Sequence, residues 1–110
     1  MNGERSVRTI RLHGDLEISR KSEIRAALQA GTGASAVLVD LSGVNYADST
    51  ALTELLRVAG DARQALIPIA FVVATAQLAR IVEVAGLRHA VAIFAELDAA
   101  LAYLRERMGA

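Results

Sequence analysis

Two short runs of unbroken apolar residues, rich in β-branched side chains, constrain this chain more than anything else in it. Residues 36–39 read Ala-Val-Leu-Val and residues 69–74 read Ile-Ala-Phe-Val-Val-Ala, with no charge in either. A strand with one wet face alternates polar and apolar side chains. One that does not alternate is covered on both faces, as in the middle of a parallel sheet. Between the two runs, Asp48-Ser49-Thr50 offers three helix-capping side chains, followed by Leu52, Leu55, Leu56 and Ala59 at helical spacing. A hydroxyl is therefore expected where strand and loop give way to the first turn of a helix, near the surface and among free backbone N–H groups.

The rest of the chain repeats this alternation. Residues 6–12 read as a strand with Ile10 and Leu12 inward and Arg11 outward, broken by His13-Gly14-Asp15. Ser19 can cap a helix from Arg20 to about Ala30, and Gly31-Thr32-Gly33 is a stop signal. Asp40-Leu41-Ser42-Gly43 reads as a turn that ends the strand at 36–39. The helix after Asp48 runs to about Ala65. It should bury Leu52, Leu55, Leu56, Ala59 and Ala62 and expose Thr53, Glu54, Arg57, Asp61 and Gln64. Pro68 stands before the second apolar strand, and Thr75 caps a helix carrying Leu78, Ile81, Val82 and Ala85 that Gly86 ends. A short strand at 90–94 and an amphipathic helix with Leu97, Ala100, Leu101, Leu104 and Met108 complete the chain. Four strand–helix pairs with apolar central strands predict an α/β domain. Its sheet should be four-stranded and mainly parallel, with right-handed crossovers and four flanking helices.

Composition excludes several function classes. At 110 residues the chain is expected to form one domain, spanning 1–110 with its core at about 6–107. Twelve basic residues balance twelve acidic ones, so no basic field recruits nucleic acid or an anionic membrane. Two tyrosines, two phenylalanines and no tryptophan make a poor stacking platform for bases. The absence of cysteine removes disulfides, thiolate chemistry and cysteine-ligated zinc. The N-terminus lacks the apolar core of a signal peptide and no run is long enough to span a bilayer, so a soluble, cytoplasmic protein without direct membrane contact is expected.

No catalytic constellation stands out. His13 and His89, at a strand end and in a turn, are too far apart in the chain to suggest a metal site, and nothing in the spacing puts either beside Ser49 as a base. Gly31-Thr32-Gly33 follows a helix and so is no phosphate cradle. Any of Asp48, Ser49 and Thr50 can simply cap the helix, a role worth about 1 kcal/mol. The same position also suits a modified hydroxyl. A phosphate there adds nearly two negative charges, which an exposed helix N-terminus tolerates and a protein packed over the spot does not.

The stretch Val39-Asp40-Leu41-Ser42-Gly43-Val44-Asn45-Tyr46-Ala47-Asp48-Ser49-Thr50-Ala51-Leu52 resembles the D-L-S-x-V-x-x-x-D-S-S-G-L signature of STAS domains, and most of all the bacterial anti-sigma factor antagonists. His13-Gly14-Asp15-Leu16-Glu17 resembles that family's G-E-L-D segment, and Gly86-Leu87 with Ala92-Ile93-Phe94 resembles its third-helix end and last strand. The resemblance implies a binding protein and not an enzyme. The unphosphorylated antagonist captures an anti-sigma factor that is also a serine kinase and so frees a sigma factor for transcription. The kinase phosphorylates the motif serine and is released, and a phosphatase restores the antagonist. By motif position the acceptor is Ser49, with Asp15, Asp48, Thr50, Ala51 and Thr53 on the partner surface. The implied protein needs no cofactor, since ATP belongs to the kinase. Apart from the resemblance, the alanine-rich exposed positions and Val84 leave room for a weak dimer, so a monomer or weak dimer is expected. Two features depart from the pattern: Ala51 replaces the usual glycine, adding a methyl where a partner's backbone would approach, and the initial strand is short or missing. The alternative that the resemblance implies is a STAS subunit of a lipid-transporting ABC complex, or a scaffold part in stress signalling, that binds without being phosphorylated.

Overall fold

The computed structural model describes residues 6–29 and 33–109. Eight main elements alternate as expected: β1 (Val7–Leu16), α1 (Lys21–Gln29), β2 (Ala36–Ala47), α2 (Ser49–Gln64), β3 (Ile69–Val72), α3 (Ala76–Ala85), β4 (Ala92–Phe94) and α4 (Leu97–Gly109). Short 3-10 turns at Ile18–Arg20 and Leu87–His89 precede α1 and β4. The strands form one sheet in the order β1-β2-β3-β4, each pair parallel. A strand order that always advances in one direction, with crossovers of one hand, places every connecting helix on the same face.

The packing shows that arrangement. Val37, Val39, Leu41 and Phe71 share a core with Ile24 and Leu28 of α1, Leu55 and Ala59 of α2, and Leu78 and Val82 of α3. The alternate residues Ala36, Leu38, Ala70 and Val72 meet Ala100 and Leu104 of α4 on the other face. The two unbroken apolar runs are thus covered on both sides because three helices take one face and the last helix takes the other. Thr75 caps α3 as expected, accepting from the Leu78 N–H at 3.2 Å and donating to the Val44 carbonyl at 3.0 Å. Gly86 ends α3 in the left-handed region at φ 74.

Several expectations need correction. β1 does not stop at Leu12 but continues through His13-Gly14-Asp15 to Leu16, with register shifts where it passes β2. The segment 40–43 is not a terminating turn: β2 continues to Ala47, burying Leu41, Val44 and Ala47. Ser19 caps nothing. It lies within the 3-10 turn, whose N-cap is Glu17 without a side-chain bond. Of the stop signal after α1, Gly31 and Thr32 lie outside the described residues, and Gly33 follows with φ +88. On α2 the buried stripe is Ala51, Glu54, Leu55, Ala59 and Ala62, while Leu56 is exposed. Glu54, expected on the wet face, is only 3% exposed.

The end of α2 is held by paired bonds from the Leu66 N–H to Arg63 and the Ile67 N–H to Ala62, the Schellman pattern. The residue in its left-handed position is Leu66 (φ 59), whose side chain is 89% exposed. Gly60 meanwhile sits on the exposed side inside α2, where an added Cβ meets nothing within 4 Å. Each residue type is in the other's preferred place. Gly60→Ala and Leu66→Gly should each raise stability by about 0.5–1 kcal/mol, read as a Tm a few degrees higher in thermal melts.

Candidate functional site

The upper end of the β1–β2 ladder builds the site. Past the regular register, His13 lies opposite Gly43, Asp15 opposite Tyr46 and Leu16 opposite Ala47. The end of β1 is thereby laid alongside the residues leading into α2. Gly14 adopts φ +80, and an added Cβ there would come within 3.3 Å of Arg20 Nη1, so both the conformation and the close approach call for glycine. That same guanidinium group secures this end of the strand. Arg20 Nη1 donates to the carbonyls of His13 (2.9 Å) and Asp15 (2.8 Å), while Nε and Nη2 form a fork on Glu23.

Asp48 is the junction between the end of β1 and α2. Its Oδ1 accepts from the Ala51 N–H at 2.9 Å, capping the helix, and its Oδ2 accepts from the Ile18 N–H at 2.8 Å. Its own N–H donates to the Leu16 carbonyl at 3.0 Å. Both carboxylate oxygens are therefore committed to backbone N–H groups from two separate segments. Ser49 follows as the first residue of α2 and is exposed. Its carbonyl accepts from Thr53 Oγ1 at 2.9 Å, and among the described residues nothing is bonded to its hydroxyl. The capping role, open to any of the three residues in the sequence, falls to Asp48, which leaves the Ser49 hydroxyl free of it.

The other anticipated residues fall as follows. Asp15 and Thr53 are exposed and Thr50 is half-buried, all at the same end of the molecule as Ser49. Ala51 is 1% exposed, with its methyl in the core shared by α1, α2 and the sheet. The expectation that this methyl stands in a partner's way is corrected: it points inward. Two exposed apolar side chains that the motif reading passed over, Ile18 and Tyr46, are fixed here, Ile18 by its N–H on Asp48 and Tyr46 by its place opposite Asp15.

Two carboxylates are buried within the elements that carry the site, Asp40 in β2 and Glu54 in α2. Asp40 is 4% exposed. Burial works against its charge, but hydrogen bonds from the Ser42 hydroxyl and N–H and from Arg11 outweigh burial and hold its carboxyl below the usual range. Glu54 is held below the usual range chiefly by hydrogen bonds from Arg25, at 3.1 and 2.9 Å, against the opposing effect of burial. The spacing of Asp40 and Ser42, an aspartate bonding a backbone N–H two residues on, was the available signal for the first. Nothing local announces the second, since Arg25 and Glu54 come from different helices.

A family model described as "Mlab, STAS domain" matches residues 2–102. No curated protein matches the sequence. Among solved structures, an anti-sigma factor antagonist from Mycobacterium paratuberculosis is similar at 20% identity and a TM-score of 0.83, covering 94% of this chain and 90% of that one. A sulfate transporter family protein from Wolinella succinogenes is similar at 15% identity and a TM-score of 0.81, covering 94% of this chain and 88% of that one. At those identities the likeness is one of fold. The family match spans the end of β1, the Asp48 junction and the exposed serine together, and on it the chain belongs to the STAS domain family.

Proposed function

We propose that the protein is a non-enzymatic anti-sigma factor antagonist. In this reading it binds an anti-sigma factor that is also a serine kinase, and phosphorylation of Ser49 by that kinase releases it. The observation that carries this reading is the division of labour between neighbours: Asp48 spends both oxygens on the fold, while Ser49 is exposed with nothing bonded to its hydroxyl among the described residues. A kinase needs an acceptor hydroxyl it can reach, and a switch needs a site whose modification spares the scaffold. Ser49 meets both requirements. Ile18 and Tyr46 supply apolar contact area around it, with Asp15, Thr50 and Thr53 as polar contacts, which is the mixed character of a transient interface. Ser49 as a catalytic nucleophile would need a base, and among the described residues none is bonded to it.

A second reading is favoured by the description of the matching family model and by the sulfate transporter neighbour. In it the same face docks on the ATPase of a lipid-transporting ABC complex, and Ser49 supports binding without modification. Mass spectrometry after incubation with the cognate anti-sigma kinase and ATP separates the two. One phosphate on wild-type protein, absent from Ser49→Ala, is expected. An unmodified wild-type protein, or undiminished phosphorylation of the variant, would remove the switch.

A further inference from the structure

At the opposite end of the sheet from Ser49, α1 and α2 part over the start of β2 and leave a cleft of about 380 Å3. That is within the range of small-molecule sites, roughly 300–1,000 Å3. Leu28, Val37, Val58 and Ile67 give it an apolar lining, and Arg25, Glu54, Arg57 and Asp61 also face it. We propose that this cleft binds a small singly charged carboxylate with an apolar body, its head bridging Arg25 and Arg57.

The hydrogen bonding singles out the head-group position. Glu54 engages Arg25 through Nε and Nη2, and Arg57 through Nε alone at 3.8 Å. Nη1 of Arg25 and both Nη atoms of Arg57 therefore have no partner among the described residues, yet both side chains line the cleft. A buried carboxylate thus fixes the Arg25 guanidinium group by two hydrogen bonds, while the exposed Arg57 stands 3.8 Å from it, and both leave N–H donors beside an apolar trough. Planar guanidinium donors suit a carboxylate, and Arg25, already held by Glu54, has little rotamer freedom left to lose when it binds.

Charge balance selects among anions. The two arginines and the two acids sum to zero, so the cleft has no net field to attract a polyanion. Asp61 stands one turn beyond Arg57 on the same wall and opposes a second negative charge on the ligand. Directed hydrogen bonds to a single charge, together with burial of the apolar body, are what remain to supply affinity.

The test is methyl-resolved NMR of the full chain titrated with octanoate, 1-octanol and inorganic phosphate. Millimolar octanoate should shift the methyl signals of Leu28, Val37, Val58 and Ile67 saturably, with octanol and phosphate at least about tenfold weaker. Arg57→Gln, at a half-exposed position, should keep the wild-type Tm and raise the dissociation constant for octanoate roughly tenfold, the effect of losing a charge-assisted hydrogen bond. No saturable shift, octanol or phosphate binding as well as octanoate, or undiminished octanoate binding by the variant would overturn the proposal.

Discussion

Replacing Ser49 with aspartate should weaken binding of the anti-sigma partner by about a hundredfold and leave the fold as stable as before. The two halves of that result have separate causes. In the free protein the new carboxylate sits on the first residue of α2, where the helix dipole favours it by about 0.3–1 kcal/mol. Asp48 opposes it. Two unit charges about 5 Å apart at an effective dielectric near 20 repel by roughly 3 kcal/mol. Ser49 is exposed, though, and solvent and salt reduce that figure to below about 1 kcal/mol. The terms nearly cancel, so Tm should stay within about 2 °C of wild type. Under a docked partner the same carboxylate loses its water, and an unpaired charge in an interface costs about 3 kcal/mol, or two orders of magnitude in affinity. Calorimetric titration and a thermal melt on one preparation measure both. Full affinity in a folded Ser49→Asp protein would show that Ser49 lies outside the interface.

One residue earlier the expectation reverses. Asp48→Ala should lower stability by about 2 kcal/mol, roughly 10 °C in Tm for a domain of this size. The alanine removes the cap on the Ala51 N–H and, with it, the bond that ties the Ile18 N–H to α2. Partner binding should fall as well, because the β1–α1 loop loses its attachment to the helix. Asp48→Asn is the informative control. Its side-chain oxygen can still cap Ala51, but its amide would present a donor to the Ile18 N–H, so it should recover about half of the loss. An Asp48→Ala protein as stable as wild type would mean that the junction is not what holds the site together.

The architecture was legible in the sequence because its signals are large and local. Unbroken apolar runs at 36–39 and 69–74, a threonine cap at Thr75 and a glycine stop at Gly86 each sit where the structure has the matching element. The errors arise where burial is decided between elements. Leucines announce a buried face, and Leu52, Leu55 and Leu56 set the expected orientation of α2. Leu55, Ala59 and Ala62 are buried as expected, but the helix is rotated so that Ala51 rather than Leu56 joins them, the small alanine side chains letting it approach the sheet closely. That rotation exposes Leu56 and carries Glu54 inward, where Arg25 of the neighbouring helix meets it. No pattern within α2 could have foretold the ion pair. Likewise β1 and β2 outlast their apparent ends because they pair irregularly with each other past Arg11, and an irregular ladder has no local signature. The candidate hydroxyl could be placed from its motif, but that Asp48 would be fully engaged and Ser49 free came only from the structure.

The most direct measurement is the affinity of the proposed anti-sigma kinase partner for two forms of this protein, unmodified and stoichiometrically phosphorylated on Ser49. The expected outcome is tight binding of the first and binding at least about a hundredfold weaker for the second, with amide spectra of the two free forms differing only around the first turn of α2. Equal affinities for the two forms would contradict the assignment of Ser49 as the switch.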